Sequence, residues 1–160
     1  MNYNLAQINI ARMLAPLDSP VMKDFVDNLD RINQLAELSN GFVWRLIEED
    51  NTNLAVKVFH DDHIVVNMSV WISIESLFDF TYNSEHSKIF KRRKEWFSKM
   101  KEMHMACWYV PQGKYPTPRE GKERLEYLQK YGESPYAFTL KSNFTAKEAD
   151  LYKLETRKQQ

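Results

Sequence analysis

Between residues 4 and 110 the spacing of apolar side chains changes from every second residue to every third or fourth and back, twice over. Such a chain builds strands and helices together, because period two suits a pleat with one buried face and period 3.6 a helix with one buried stripe. In residues 4–12, Leu5, Gln7 and Asn9 alternate with Ala6, Ile8 and Ile10, which predicts a half-buried strand. Asp18, Ser19 and Pro20 supply a helix start, since a short polar cap accepts an orphan amide and proline suits the first helical position. Val21, Phe25, Leu29, Ile32 and Ala36 then form one apolar stripe, and Asn40 with Gly41 can end the helix.

The second half of the pattern is broken more often. Residues 41–48 read as a strand with Phe42, Trp44 and Leu46 on one face and Val43, Arg45 and Ile47 on the other. A turn is expected at 50–53, residues 54–60 suit either a helical turn or a short strand, and the β-branched run 64–71 is a further strand. Ser73 and Ser84 can cap two successive helical pieces, the first with Ile74, Leu77 and Phe78, the second with Ile89, Phe90, Trp96 and Phe97. A strand over 105–110 stops at Pro111, Gly113 and Pro116. Thr117 and Pro118 open a helix containing Leu125, Tyr127 and Leu128, which Gly132 ends. A short strand is expected at 136–140. The domain is drawn at 1–144, with 145–160 as a tail, either a frayed helix or disordered.

Strand, helix, strand, strand, helix, strand is a split βαβ unit used twice. It predicts an α+β, ferredoxin-like fold in which an antiparallel sheet carries its helices on one face. The other face then needs a cover. Aromatic residues on both faces of the strands point to a second copy packed sheet to sheet, a homodimer, with cover by the C-terminal helix and tail of a monomer as the alternative.

Charge excludes some partners. Lys and Arg number 22 and Asp and Glu 22, so no global field recruits nucleic acid or an anionic membrane. The run Lys91, Arg92, Arg93, Lys94 is diluted by Glu85, Glu95 and Glu102 and reads as a solvated helix face. No stretch approaches the length of a membrane span. The single cysteine, Cys107, forms no internal disulfide and suits a reducing compartment, so a soluble, cytoplasmic protein is expected.

The run from Asn67 through Trp71 and Ser73 to Leu77, followed by Phe80 and Ser84-Glu85-His86, resembles the strand-to-helix signature of antibiotic-biosynthesis-monooxygenase-like domains. Gly41-Phe42-Val43-Trp44, His86 with Arg92-Arg93-Lys94-Glu95-Trp96-Phe97, Trp108-Tyr109-Val110-Pro111-Gln112-Gly113 and Pro135-Tyr136-Ala137-Phe138 together resemble a bacterial family known only as a domain of unknown function, over roughly residues 4–140. The resemblance implies a dimeric α/β barrel. Its superfamily includes cofactor-independent quinone-forming monooxygenases, haem-degrading enzymes whose axial histidine lies on the second helix, haem proteins acting on carotenoids, and binding proteins. His86 lies in the corresponding region.

These readings converge on an aromatic pocket between sheet and helices that takes a small apolar or aromatic ligand. His86 is the candidate acid/base group or haem ligand, and Asn67 the candidate polar group that orients a substrate oxygen. Arg93 is the candidate partner of an anionic group, with Trp44, Trp71 and Trp96 as apolar walls. The opposing expectation is structural: His86 at a helix start, Arg93 in an ion pair across a dimer, the tryptophans in the core. His60, Asp61, Asp62 and His63 bear metal-ligand chemistry, but aspartates are also what a turn between elements demands, so a solvated turn is expected and no metal is assigned.

Overall fold

The computed structural model describes residues 2–47 and 54–158. Its central element is the strand β1, Tyr3–Met13. One edge of β1 pairs antiparallel with β3, Ile64–Trp71, in a register that sets Leu5 opposite Trp71, Gln7 opposite Ser69 and Asn9 opposite Asn67. The other edge pairs with β5, Met105–Pro111, and then at its far end with the two-residue β4, Phe97–Ser98. β2, Phe42–Arg45, lies outside β3. The result is an antiparallel α+β sheet in the order β2-β3-β1-β5, with β4 extending the β5 side.

Helix α1, Lys23–Leu38, follows a single 3-10 turn at Pro20–Met22 and joins β1 to β2. Leu54–Phe59 is a short helix, α2, ended by His60 at φ 56°. The broken helix between β3 and β5 is α3, Ile74–Asn83, and α4, His86–Lys91. Both expected caps operate, Ser73 Oγ accepting from the Ser76 amide at 3.2 Å and Ser84 Oγ from the His86 amide at 3.1 Å. Thr117 likewise caps α5, Pro118–Tyr131. α6 spans Ala146–Lys158.

Alternation along β1 separates two cores. Leu5 and Trp71 pack with Ala36, Leu77 and Phe138, while Met13 packs with Met22 and Trp96, all on the face covered by α1, α3 and α4. Ala6, Ile8, Met68, Val70, Ala106 and Trp108 point the other way and are fully buried with Leu125 and Leu128 of α5. The Trp108 indole donates to Glu120 Oε1 at 3.1 Å, which ties α5 to β5.

This overturns the expectation of helices on one face only. The second face carries α5, assisted by Phe59 of α2, which is the cover by the C-terminal helix that the sequence offered as the alternative. Gly121 shows how close the approach is. A Cβ there would lie 2.9 Å from both Ile8 Cδ1 and Met68 Cε.

Further differences have local causes. Trp96 and Phe97, expected on a helix, leave it after the 3-10 turn Arg93–Glu95; Phe97 then pairs with Met13, and the Leu14 amide donates to the Trp96 carbonyl. The expected strand at 136–140 reduces to two isolated bridges, Phe138 with Cys107 and Ala137 with Ser134. The expected tail is a docked helix, with Ala149 buried, Tyr3 bonded to Asp150 and Tyr127 to Tyr152. A register shift between Phe42 and Trp44 inserts one extra residue in β2 and reverses its alternation, so Phe42 faces α1 and Trp44 faces α5. The turn expected at 50–53 lies outside the described residues.

Gly121→Leu is expected to lower stability by about 1–3 kcal/mol in urea unfolding, through overpacking of α5 against β1 and β3.

Candidate functional site

Of the six residues singled out from sequence, four are linked. Trp71 and Asn67 lie on the same face of β3, joined by a short polar chain. The Trp71 indole donates to Ser69 Oγ at 2.8 Å, and Gln7 Nε2 donates to both Ser69 Oγ and Asn67 Oδ1, each at 2.8 Å. From Trp71 an aromatic column runs outward along the helices. Phe80 stacks on Trp71 at 5.1 Å between centroids, His86 lies 4.8 Å from Phe80, and Phe90 lies 6.2 Å beyond. Arg93 ends the column, its guanidinium 4.4 Å above the Phe90 ring and Nη1 donating to the Phe90 carbonyl.

Trp44 and Trp96 do not belong with them. The bulge in β2 sends Trp44 to the far face, where it stacks on Tyr115 at 5.4 Å with the rings nearly parallel. Trp96 is 2% exposed in the cluster of Met13 and Met22, against Phe25 and beneath Arg92. The shared pocket expected around Trp44, Trp71, Trp96, Asn67 and His86 is therefore not formed. Two surface hollows lie elsewhere, one along the loop before α1 beside Leu17 and Pro20, the other between Ser39, Ser76 and Phe80.

What the sheet does offer is a polar row dividing its helix-facing core. Between the cluster of Leu5 and Trp71 and the cluster of Met13 and Trp96 stand Gln7, Asn9, Asn67 and Ser69. Gln7 and Ser69 are buried, whereas Asn67, in the middle of a long strand, is exposed. An exposed asparagine there means that the helix layer does not close over it. On α1, Phe25 belongs to one cluster and Ala36 to the other, about 16 Å apart along the axis. Leu29 and Ile32, on the same stripe between them, are half-buried and belong to neither. Along α1 they lie between the residues that seal the two clusters, as the amide row lies between the clusters on the sheet.

Sequence reasoning missed Arg45. The reversed alternation of β2 puts it opposite Ser69, on the side of the amide row, where its Nε donates to Glu37 Oε1 of α1 at 2.7 Å. The other basic residues expected to matter are engaged outside. Arg92 is held by Asp24 and Glu95 on the surface. In the turn after α2, Asp61, Asp62 and His63 bring ligand-type atoms within 4.8 Å, but Arg12 and the His63 amide already hold Asp61. Cys107 is fully buried beside Gln7, and burial pushes its thiol far up, so it is no nucleophile.

His86 has one defined tautomer. Its Nδ1–H donates to the Thr81 carbonyl at 3.1 Å, which leaves Nε2 with its lone pair. Burial between Phe80 and Phe90 lowers its pKa, an effect partly offset by the Thr81 carbonyl. The folded protein thus holds His86 neutral where the unfolded chain protonates it. Its contribution to stability is complete above about pH 6.5, the ordinary imidazole value, and falls as the pH drops below that. An NMR titration is expected to give His86 a midpoint under 6.5, and His86→Gln to flatten the acid limb of the stability profile.

No helix among the described residues is long and apolar enough to cross a membrane. A comparison with curated proteins finds no match. Among solved structures, PA3566 from Pseudomonas aeruginosa is similar over 70% of this chain and 96% of its own, at 16% identity and a TM-score of 0.47. Residues 4–154 match the family described as a domain of unknown function, DUF3291, and the chain belongs to that family.

Proposed function

We propose that this protein binds a small, flat, largely apolar molecule with a polar edge, in the gap between the amide row of the sheet and helix α1. The observation that carries the reading is the exposure of Asn67 in the middle of a strand, between two closed cores, with Leu29 and Ile32 half-buried on the stretch of α1 between those cores. Apolar side chains above and a few convergent polar groups below are what a small-molecule site requires. Gln7 supports the site from beneath, because its amide hydrogens are both spent on Ser69 and Asn67 and hold them in place. The framework is the ferredoxin-like split βαβ arrangement, with α5 added on its second face.

Binding is the reading favoured over oxygenation. Gln7, Asn9, Asn67 and Ser69 supply donors and acceptors but no group that titrates near neutral pH, so the row orients a ligand without moving protons. His86, the nearest residue in kind to a base, belongs to the aromatic column. A haem does not fit the residues meant for it. Of the expected walls, Trp44 is on the opposite face and Trp96 is sealed in the core, while Arg93, the expected partner of a propionate, lies over Phe90. No step is assigned to haem.

The test uses 2-naphthamide, a flat two-ring probe with one edge amide. Asn67→Leu should weaken its binding by about tenfold in calorimetry, the scale of one lost hydrogen bond to a polar ligand, without unfolding the chain, since Asn67 is exposed. NMR shifts on titration should centre on Gln7, Leu29 and Ile32. Shifts centred on Trp44 and Tyr115, or affinity untouched by Asn67→Leu, would place the site elsewhere.

A further inference from the structure

We infer that the gap selects ligands bearing a carboxylate and that Arg45 is the residue that selects them, an inference that rests on the small-molecule reading above. Arg45 stands on β2 opposite Ser69, on the face that carries the amide row. Asn67 is its diagonal neighbour, one strand across and two residues along, about 7–8 Å away in an antiparallel pair and within reach of a long side chain. The arginine is the more enclosed member of its ion pair, with 22% of its side chain exposed against 43% for Glu37.

Among the described residues the pairing engages only one edge of Arg45. A guanidinium carries five N–H donors, and a carboxylate that engages it fully takes two parallel bonds. Glu37 takes only the bond from Nε, and among the described residues neither terminal nitrogen of Arg45 is bonded. Along the sheet the bonds run from Gln7 into Asn67 Oδ1, which turns the Asn67 amide nitrogen away from Gln7 as a donor. By the register of β2 and β3, the Arg45 fork and the Asn67 amide are donors within reach of one ligand. Donors alone, one set of them cationic, match an anionic acceptor, and the flat two-lobed fork matches a carboxylate.

Glu37 is then a built-in competitor. It neutralises Arg45 when the gap is empty, so the buried-side cation is not left unpaired, and a ligand carboxylate shares the guanidinium from its other edge. The selectivity therefore depends on two residues with opposite effects on binding, whereas a purely structural ion pair would respond alike to loss of either partner.

The experiment compares 2-naphthoate with 2-naphthamide, which have the same shape and differ in charge, on the full chain at pH 7. The wild type should bind the acid about tenfold tighter than the amide, the scale of a hydrogen bond to a charged group. Arg45→Gln should bring the two within about twofold and Arg45→Lys should keep part of the preference, because it retains the charge and loses the fork. Glu37→Gln should tighten the acid and leave the amide unchanged. Equal binding of acid and amide by the wild type, a preference that survives in Arg45→Gln, or a Glu37→Gln variant that weakens the acid would overturn the inference while leaving the site itself standing. Failure of both probes to bind the wild type would overturn the site and the selectivity together.

Discussion

Everything in this molecule hangs on β1 being buried on both faces and paired on both edges. Its side chains alternate between two cores, and each neighbouring strand inherits that alternation through its register. On one face the alternation delivers Ala6, Ile8 and Ile10, an unbroken apolar surface on which α5 closes. On the other it delivers Leu5, then Gln7 and Asn9, then Met13, so the apolar surface is interrupted by two amides. Gln7 and Ser69 are buried there, and Asn67 is left exposed. The candidate site is a consequence of where β1 changes from apolar to polar on one face only.

The same constraint explains why the second face differs from a simple two-layer fold. An apolar sheet face must be covered, and a helix later in the chain does so at lower entropic cost than a second molecule, since its ends are already tethered. Gly121 permits α5 to approach the sheet to within the reach of Ile8 and Met68. α6 then binds across the edge through Ala149 and its links to Tyr3 and Tyr127, so the C-terminal segment belongs to the packed structure.

Among the candidate residues, those near strong local signals were placed well. His86 follows the Ser84 cap, and Asn67 and Trp71 lie on a strand whose β-branched composition leaves little choice. Trp44 and Arg45 exchanged places relative to the expected alternation, because one extra residue in a four-residue edge strand reverses every side chain after it. That reversal moved an aromatic wall off the site and an arginine onto it. Nothing in Gly41-Phe42-Val43-Trp44 marks a bulge, which shows only in the register of β2 against β3.

The sequence by itself determined the strands β1, β3 and β5 and the helices α1, α3 and α5, the caps at Ser73 and Thr117, the break near Ser84 and the alternation of β1. Each is governed by groups within a few residues of one another, through backbone geometry and local hydrogen bonds. Tertiary structure decided which face α5 covers, where Trp96 leaves its helix to seal the end of the sheet, and which residues of β2 look toward α1. Those outcomes depend on burying surfaces contributed by segments tens of residues apart, and local pattern carries no information about which distant surface is the better fit.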